Sequence, residues 1–87
     1  MPEVVMYSTG WCPYCARARA LLERKGIAFR EIDIETDAGL RAEMIARSGR
    51  RSVPQIFIGE RHVGGFEELY ELDRSGELDS ILQTEKS

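Results

Sequence analysis

The stretch YSTGWCPYCARARALL, residues 7–22, decides the architecture: an apolar run ends inside it, a short polar turn follows, and a C-x-x-C pair opens an alanine- and arginine-rich segment. Upstream, Val4, Val5, Met6 and Tyr7 are contiguous, apolar and partly β-branched, which predicts a buried strand. Downstream, the pattern predicts a helix with Cys12 near its N-cap and Pro13 in the first turn, where a missing N–H costs nothing. Ala18, Leu21 and Leu22 mark its inward face, and Lys25-Gly26 its stop.

The rest of the chain repeats this alternation. In IAFREIDIE (27–35), Ile32 and Ile34 alternate with Glu31, Asp33 and Glu35, predicting a second strand. Asp37 is placed to cap a helix whose Leu40, Met44 and Ile45 face inward and which Gly49 closes. VPQIFIGERHVGG (53–65) reads as two short strands joined at Gly59-Glu60, with glycine where a type II′ turn takes it. A third helix runs from Phe66 to about Ser75 on Leu69 and Leu72 and ends at Gly76; Leu78, Ile81 and Leu82 predict one more short helix. A helix between the first two strands makes them parallel by a right-handed crossover, and the tight turn makes the last two antiparallel. The fold class is therefore α/β, a mixed four-stranded sheet with helices on both faces.

Composition narrows the function classes. A chain of 87 residues makes one small domain, 1–87, with no repeat, linker or low-complexity tract. Its 43% hydrophobic and 31% charged residues are interspersed, which excludes a disordered chain. A net charge of -3 argues against a nucleic-acid partner, and the local cluster Arg47, Arg50 and Arg51 reads as a solvated helix end. No segment approaches the roughly 18 to 20 apolar residues of a membrane span, and MPEVVMYSTG lacks the basic start and longer apolar run of a secretion signal. The expectation is a soluble, cytoplasmic monomer. A reducing cytosol keeps unstrained thiols reduced unless their oxidation is part of the work.

What, then, are Cys12 and Cys15 for? A thiol attacks as its thiolate, and a sulfur at a helix start faces unpaired N–H groups and the positive end of the helix dipole, which stabilise the anion. Cys12 is thus the candidate nucleophile. Cys15, one turn later on the same face, is placed to attack a mixed disulfide on Cys12. Three bland readings compete. A structural zinc needs four ligands, and the sequence offers one C-x-x-C and the distant His62, which otherwise reads as strand decoration. A structural disulfide across so short a loop removes little chain entropy. Two inert buried thiols remain an alternative, but proline and tyrosine between the cysteines at a helix start favour a redox pair.

Two further stretches invite a choice. RRSVPQIFI is either an edge-strand start that tolerates proline or a cis Val53-Pro54 turn that aims a backbone edge at the sulfur; the sequence leaves both open. VGGFEELY is either a tight strand-to-helix turn with Glu67 and Glu68 complementing the dipole, or a site whose free N–H groups receive a carboxylate while a nearby acid receives its amine.

Taken together, CPYC followed by VPQIFIG and VGG resembles glutaredoxin, specifically the small bacterial dithiol type, over nearly the whole chain. The resemblance implies a thioredoxin-like fold and an enzyme, a glutathione-disulfide oxidoreductase, that uses glutathione as reducing co-substrate, with no tightly bound cofactor and no metal. Its partners would be glutathione and disulfide-containing or glutathionylated proteins. By that likeness Cys12 is the nucleophile and Cys15 the resolving thiol. Tyr14 flanks the bound tripeptide, Val53 pairs with its backbone beside a cis Pro54, and Gly65, Phe66 and Glu67 surround its γ-glutamyl end. The chain departs from the pattern twice. Thr9 stands where many relatives carry lysine, and Arg51 is positioned to supply that charge; Phe66 and Glu67 stand where relatives often have cysteine and aspartate. Two other readings are a redoxin served by thioredoxin reductase or another small thiol, to which Trp11-Cys12 lends support, and an iron-sulfur cluster carrier.

Overall fold

The computed structural model describes residues 2–84. Its first strand, β1 (Val4–Ser8), is buried at every position, so it needs a neighbour on each edge and cover on each face. Both edges are met. β1 pairs in parallel with β2 (Arg30–Asp33), Tyr7 opposite Ile32, and antiparallel with β3 (Gln55–Ile58), Val5 opposite Phe57. A hairpin adds β4 (Arg61–Gly64), giving the four-stranded order β2-β1-β3-β4. Gly59 holds φ 60° in that hairpin while Glu60 after it does not take a positive φ, which is the II′ pattern. The mixed sheet is as expected. β2 is shorter than the alternation suggested, pairing only as far as Asp33; Ile34, just past it, is buried and donates its amide to the Ser8 carbonyl at 3.0 Å.

Strand alternation sorts the core into two layers. Val4, Met6, Ile56 and Ile58 point to one face, covered by α1 (Pro13–Arg24), α3 (Phe66–Ser75) and α4 (Glu77–Thr84) through Ala18, Leu21, Leu22, Leu69, Leu78, Ile81 and Leu82. Val5, Tyr7 and Phe57 point to the other, covered by Ile34 and by α2 (Ala38–Ser48) through Met44. The predicted caps are present: Asp37 accepts from the Gly39 amide at 2.9 Å, and Gly49 closes α2 in the left-handed region. Lys25 Nζ ties the end of α1 to Asp73 of α3 at 2.7 Å and to Asp79 of α4 at 3.4 Å.

Arg47, Arg50 and Arg51 are exposed as expected, and Arg47 in addition leans onto the sheet. Its guanidinium lies 4.1 Å from the Phe57 ring centroid, and its Nη1 donates to Tyr7 Oη at 2.9 Å. Tyr7 Oη in turn donates to Glu43. The aromatic faces that β1 and β3 turn toward α2 offer a cation a better seat than water alone, so the residue clamps helix to sheet.

Leu22 is fully buried beneath the sheet. Leu22→Ala is expected to lower unfolding stability by about 2–5 kcal/mol, measured by urea denaturation; a loss well under 1 kcal/mol would contradict this packing.

Candidate active site

The turn after β1 delivers the chain into α1 through Cys12, whose backbone is extended (φ -84°, ψ 120°) and which is the N-cap of the helix. Serine or aspartate usually fills that role with an oxygen. Here sulfur fills it: Cys12 Sγ accepts from the Cys15 amide at 3.3 Å, and Pro13 takes the first helical position. The Cys12 thiol also points at the Val53 carbonyl, 3.8 Å away, which brings the helix start against the segment before β3. The Val53-Pro54 peptide is cis.

The two cysteines are both free and both buried. Cys12 keeps 7% of its surface exposed and Cys15 none. Burial pushes the Cys15 thiol up to about 12; the Thr9 backbone N–H opposes this, and the adjacent Cys12 sulfur adds to it. Cys15 therefore holds its proton at neutral pH. Thr9 itself is buried, and its hydroxyl has no hydrogen-bond partner among the described residues.

Beside Cys12 lies an open cleft of about 250 Å³. Six residues singled out in the sequence line it: Tyr14, Val53, Pro54, Gly65, Phe66 and Glu67. Arg51 does not. It is exposed one residue before Ser52, and Arg50 lines the cleft in its place. The exposed Tyr14 ring sits 6.4 Å from that of Phe66, and Arg17 lies over its other side at 5.2 Å.

At the far end, α3 starts at Gly65. The glycine pair permits a close approach: a Cβ on Gly64, whose φ is 119°, would come within 3.1 Å of Glu68 side-chain carbon, and one on Gly65 would sit 3.4 Å from the Pro54 carbonyl. Of the two acids, Glu68 is consumed locally. It accepts from the Gly65 amide at 2.8 Å, an interaction that holds its carboxyl below the usual range, and Arg50 pairs with it at 3.7 Å. Glu67 lines the cleft and makes no hydrogen bond or ion pair among the described residues, and α3 starts at Gly65 with no side-chain cap for its first amides. Sequence reasoning passed over Gln55, which lines the cleft while 1% exposed and donates to the Ser52 carbonyl at 3.0 Å. The available signal was a polar residue inside an otherwise buried strand. Among the described residues no three His, Cys, Asp or Glu side chains gather as metal ligands.

Comparison with known proteins agrees with this geometry. A family model described as glutaredoxin matches residues 4–63. The chain is 54% identical over 82 residues to a glutaredoxin of Pseudomonas aeruginosa, covering 94% of this chain and 98% of that protein. Among solved structures it is similar to a glutaredoxin from Brucella melitensis, with a TM-score of 0.86, 56% identity, and coverage of 100% of this chain and 95% of that one. It is also similar to a buckwheat glutaredoxin in complex with glutathione, with a TM-score of 0.86, 29% identity, and coverage of 95% and 78%. The thioredoxin-like architecture is thereby met.

The contrast between the sulfurs has a direct readout. In native protein at pH 7.5, iodoacetamide is expected to label Cys12 and leave Cys15 unmodified until the chain is unfolded, as read by peptide mass spectrometry; equal labelling of both would contradict the burial described.

Proposed function

Because the chain belongs to the glutaredoxin family, and is with it a thiol-disulfide oxidoreductase, we propose that Cys12 is its nucleophile, Cys15 its resolving thiol and the adjoining cleft its glutathione site. The observation that carries this reading is the Cys12 sulfur capping α1 within 3.8 Å of the carbonyl of Val53, a cleft-lining residue, with a protonated, fully buried Cys15 one turn behind. Glutathione is the reductant, in keeping with the complex seen for the buckwheat relative.

With a glutathionylated protein, the Cys12 thiolate attacks the glutathione sulfur, the old S–S bond breaks, and the protein leaves as a thiolate that takes a proton. Glutathione now sits on Cys12. A second glutathione thiolate attacks that glutathione sulfur, releasing oxidised glutathione and restoring the Cys12 thiolate. With a protein disulfide, Cys12 forms a mixed disulfide; Cys15 gives up its proton and attacks Cys12 Sγ, the substrate's second thiol departs, and two glutathione molecules reduce the resulting internal disulfide.

Each end of the cleft suits one part of the tripeptide. The Val53 main chain pairs with its backbone beside Pro54, and Tyr14 and Phe66 flank it. The open amides of Phe66 and Glu67 receive the γ-glutamyl carboxylate, with Gly65 allowing the approach and the uncommitted Glu67 carboxylate receiving the amine. Arg50, beside Glu68, and Arg51, just before Ser52, supply positive charge for the carboxylates of the tripeptide in the absence of a lysine at position 9. The enzyme acts as a cytoplasmic monomer on disulfide-containing and glutathionylated proteins.

Cys12→Ser is expected to abolish turnover on both substrate classes, whereas Cys15→Ser keeps reduction of glutathione mixed disulfides and loses most reduction of protein disulfides. The reverse pattern in coupled assays would overturn the assignment. Arg50→Ala and Arg51→Ala are each expected to raise the KM for the glutathione mixed disulfide, Arg50→Ala the more because it lines the cleft; an unchanged KM in both would remove the arginines from the site.

A further inference from the structure

A buried amide must have its donors and its acceptor met, and the way Gln55 meets them fixes more than its own position. Its Nε2 group donates to the Ser52 carbonyl at 3.0 Å and to Ser52 Oγ at 3.3 Å. A carbonyl only accepts, so the amide can face one way alone, with Oε1 turned to His62 Nε2 at 2.7 Å. That oxygen also only accepts, so Nε2 of His62 carries a hydrogen and donates whether the ring is neutral or protonated. The ring is held from the side as well. His62 stands opposite Phe57 across the β3–β4 pair, their ring centroids 4.9 Å apart at 30°. His62, expected to be strand decoration, instead begins a chain from β4 through Gln55 of β3 into Ser52. Residues 50–54 belong to neither helix nor strand, so this segment lacks a backbone ladder of its own.

We propose that His62 is a positioning residue for the glutathione cleft: through Gln55 it fixes Ser52, and with it the adjoining Val53 main chain that the tripeptide pairs with. The proposal rests on the functional reading above. It assigns to an imidazole outside the cleft lining a part in substrate affinity.

The test uses the intact enzyme. His62→Phe keeps a flat ring on Phe57 and removes the donor; His62→Gln puts an N–H back at the end of a side chain. In His62→Phe the KM for a glutathione mixed disulfide is expected to rise about two- to tenfold, the range for loss of one ordinary hydrogen bond, with the larger part of the change falling on KM rather than on kcat. His62→Gln restores most of the KM, and His62→Phe adds little to Gln55→Leu in the double variant. Backbone amide NMR shifts of Ser52 and Val53 in the free protein are expected to move in His62→Phe and return toward the original in His62→Gln. An unchanged KM in His62→Phe, a His62→Gln variant no better than His62→Phe, or additive effects with Gln55→Leu would overturn the proposal. Should the unaltered protein fail to turn over glutathione substrates at all, the functional reading falls, while the Ser52 and Val53 shifts still decide whether His62 holds the loop.

Discussion

The Cys15 amide aimed at the Cys12 sulfur across 3.3 Å is the contact on which the rest of the molecule turns. A helix start leaves amides without partners, and nearly every helix spends a side chain on them. In this chain that side chain is the Cys12 thiol, the group proposed to react. The sheet fixes where the contact occurs: β1 is central and fully buried, so its end and the turn after it have little room to shift, and α1 must begin beside the segment that precedes β3. Capping and packing are thus satisfied by one placement of one residue, the one to which the catalytic role is proposed.

The same economy governs the opposite end of the cleft. Two adjacent glutamates open α3, and the fold separates their work. Glu68 turns back onto Gly65 and pairs with Arg50, which stabilises the helix start; Glu67 is left facing the cleft. The glycines before them let the helix approach Pro54 closely enough to form the cleft at all. Arg50 consequently lines the cleft while held only by a half-exposed ion pair of little energetic weight.

How much of this was legible from residues alone follows the range of the interactions. Local signals gave the strands, the Cys12 and Asp37 caps, the Gly49 and Gly76 stops and the Gly59 turn, because each is decided within a few residues. The resemblance, carried by three short motifs, placed Tyr14, Val53, Pro54, Gly65, Phe66 and Glu67 around one cleft. What escaped depends on partners distant in the chain. Arg47 meets Tyr7 forty residues away, a contact that no helix-face pattern encodes. The choice between Arg50 and Arg51 depends on how the chain leaves α2, and neither arginine has a periodic pattern to distinguish it. Gln55 and His62 are only seven residues apart, yet their bond depends on hairpin register and on Ser52 fixing the amide. The cis Val53-Pro54 bond follows from the resemblance and not from the residues themselves, since proline alone is compatible with either form.

Trp11 has a use that its chemistry does not require. It is the chain's single tryptophan, it adjoins Cys12, and although 70% exposed it is tethered by a 3.0 Å hydrogen bond from its ring N–H to Glu35. An indole held at that spot, with no other to blur its signal, makes the molecule its own optical gauge: ultraviolet emission reports from the doorstep of the reacting sulfur, without a dye and without altering a residue.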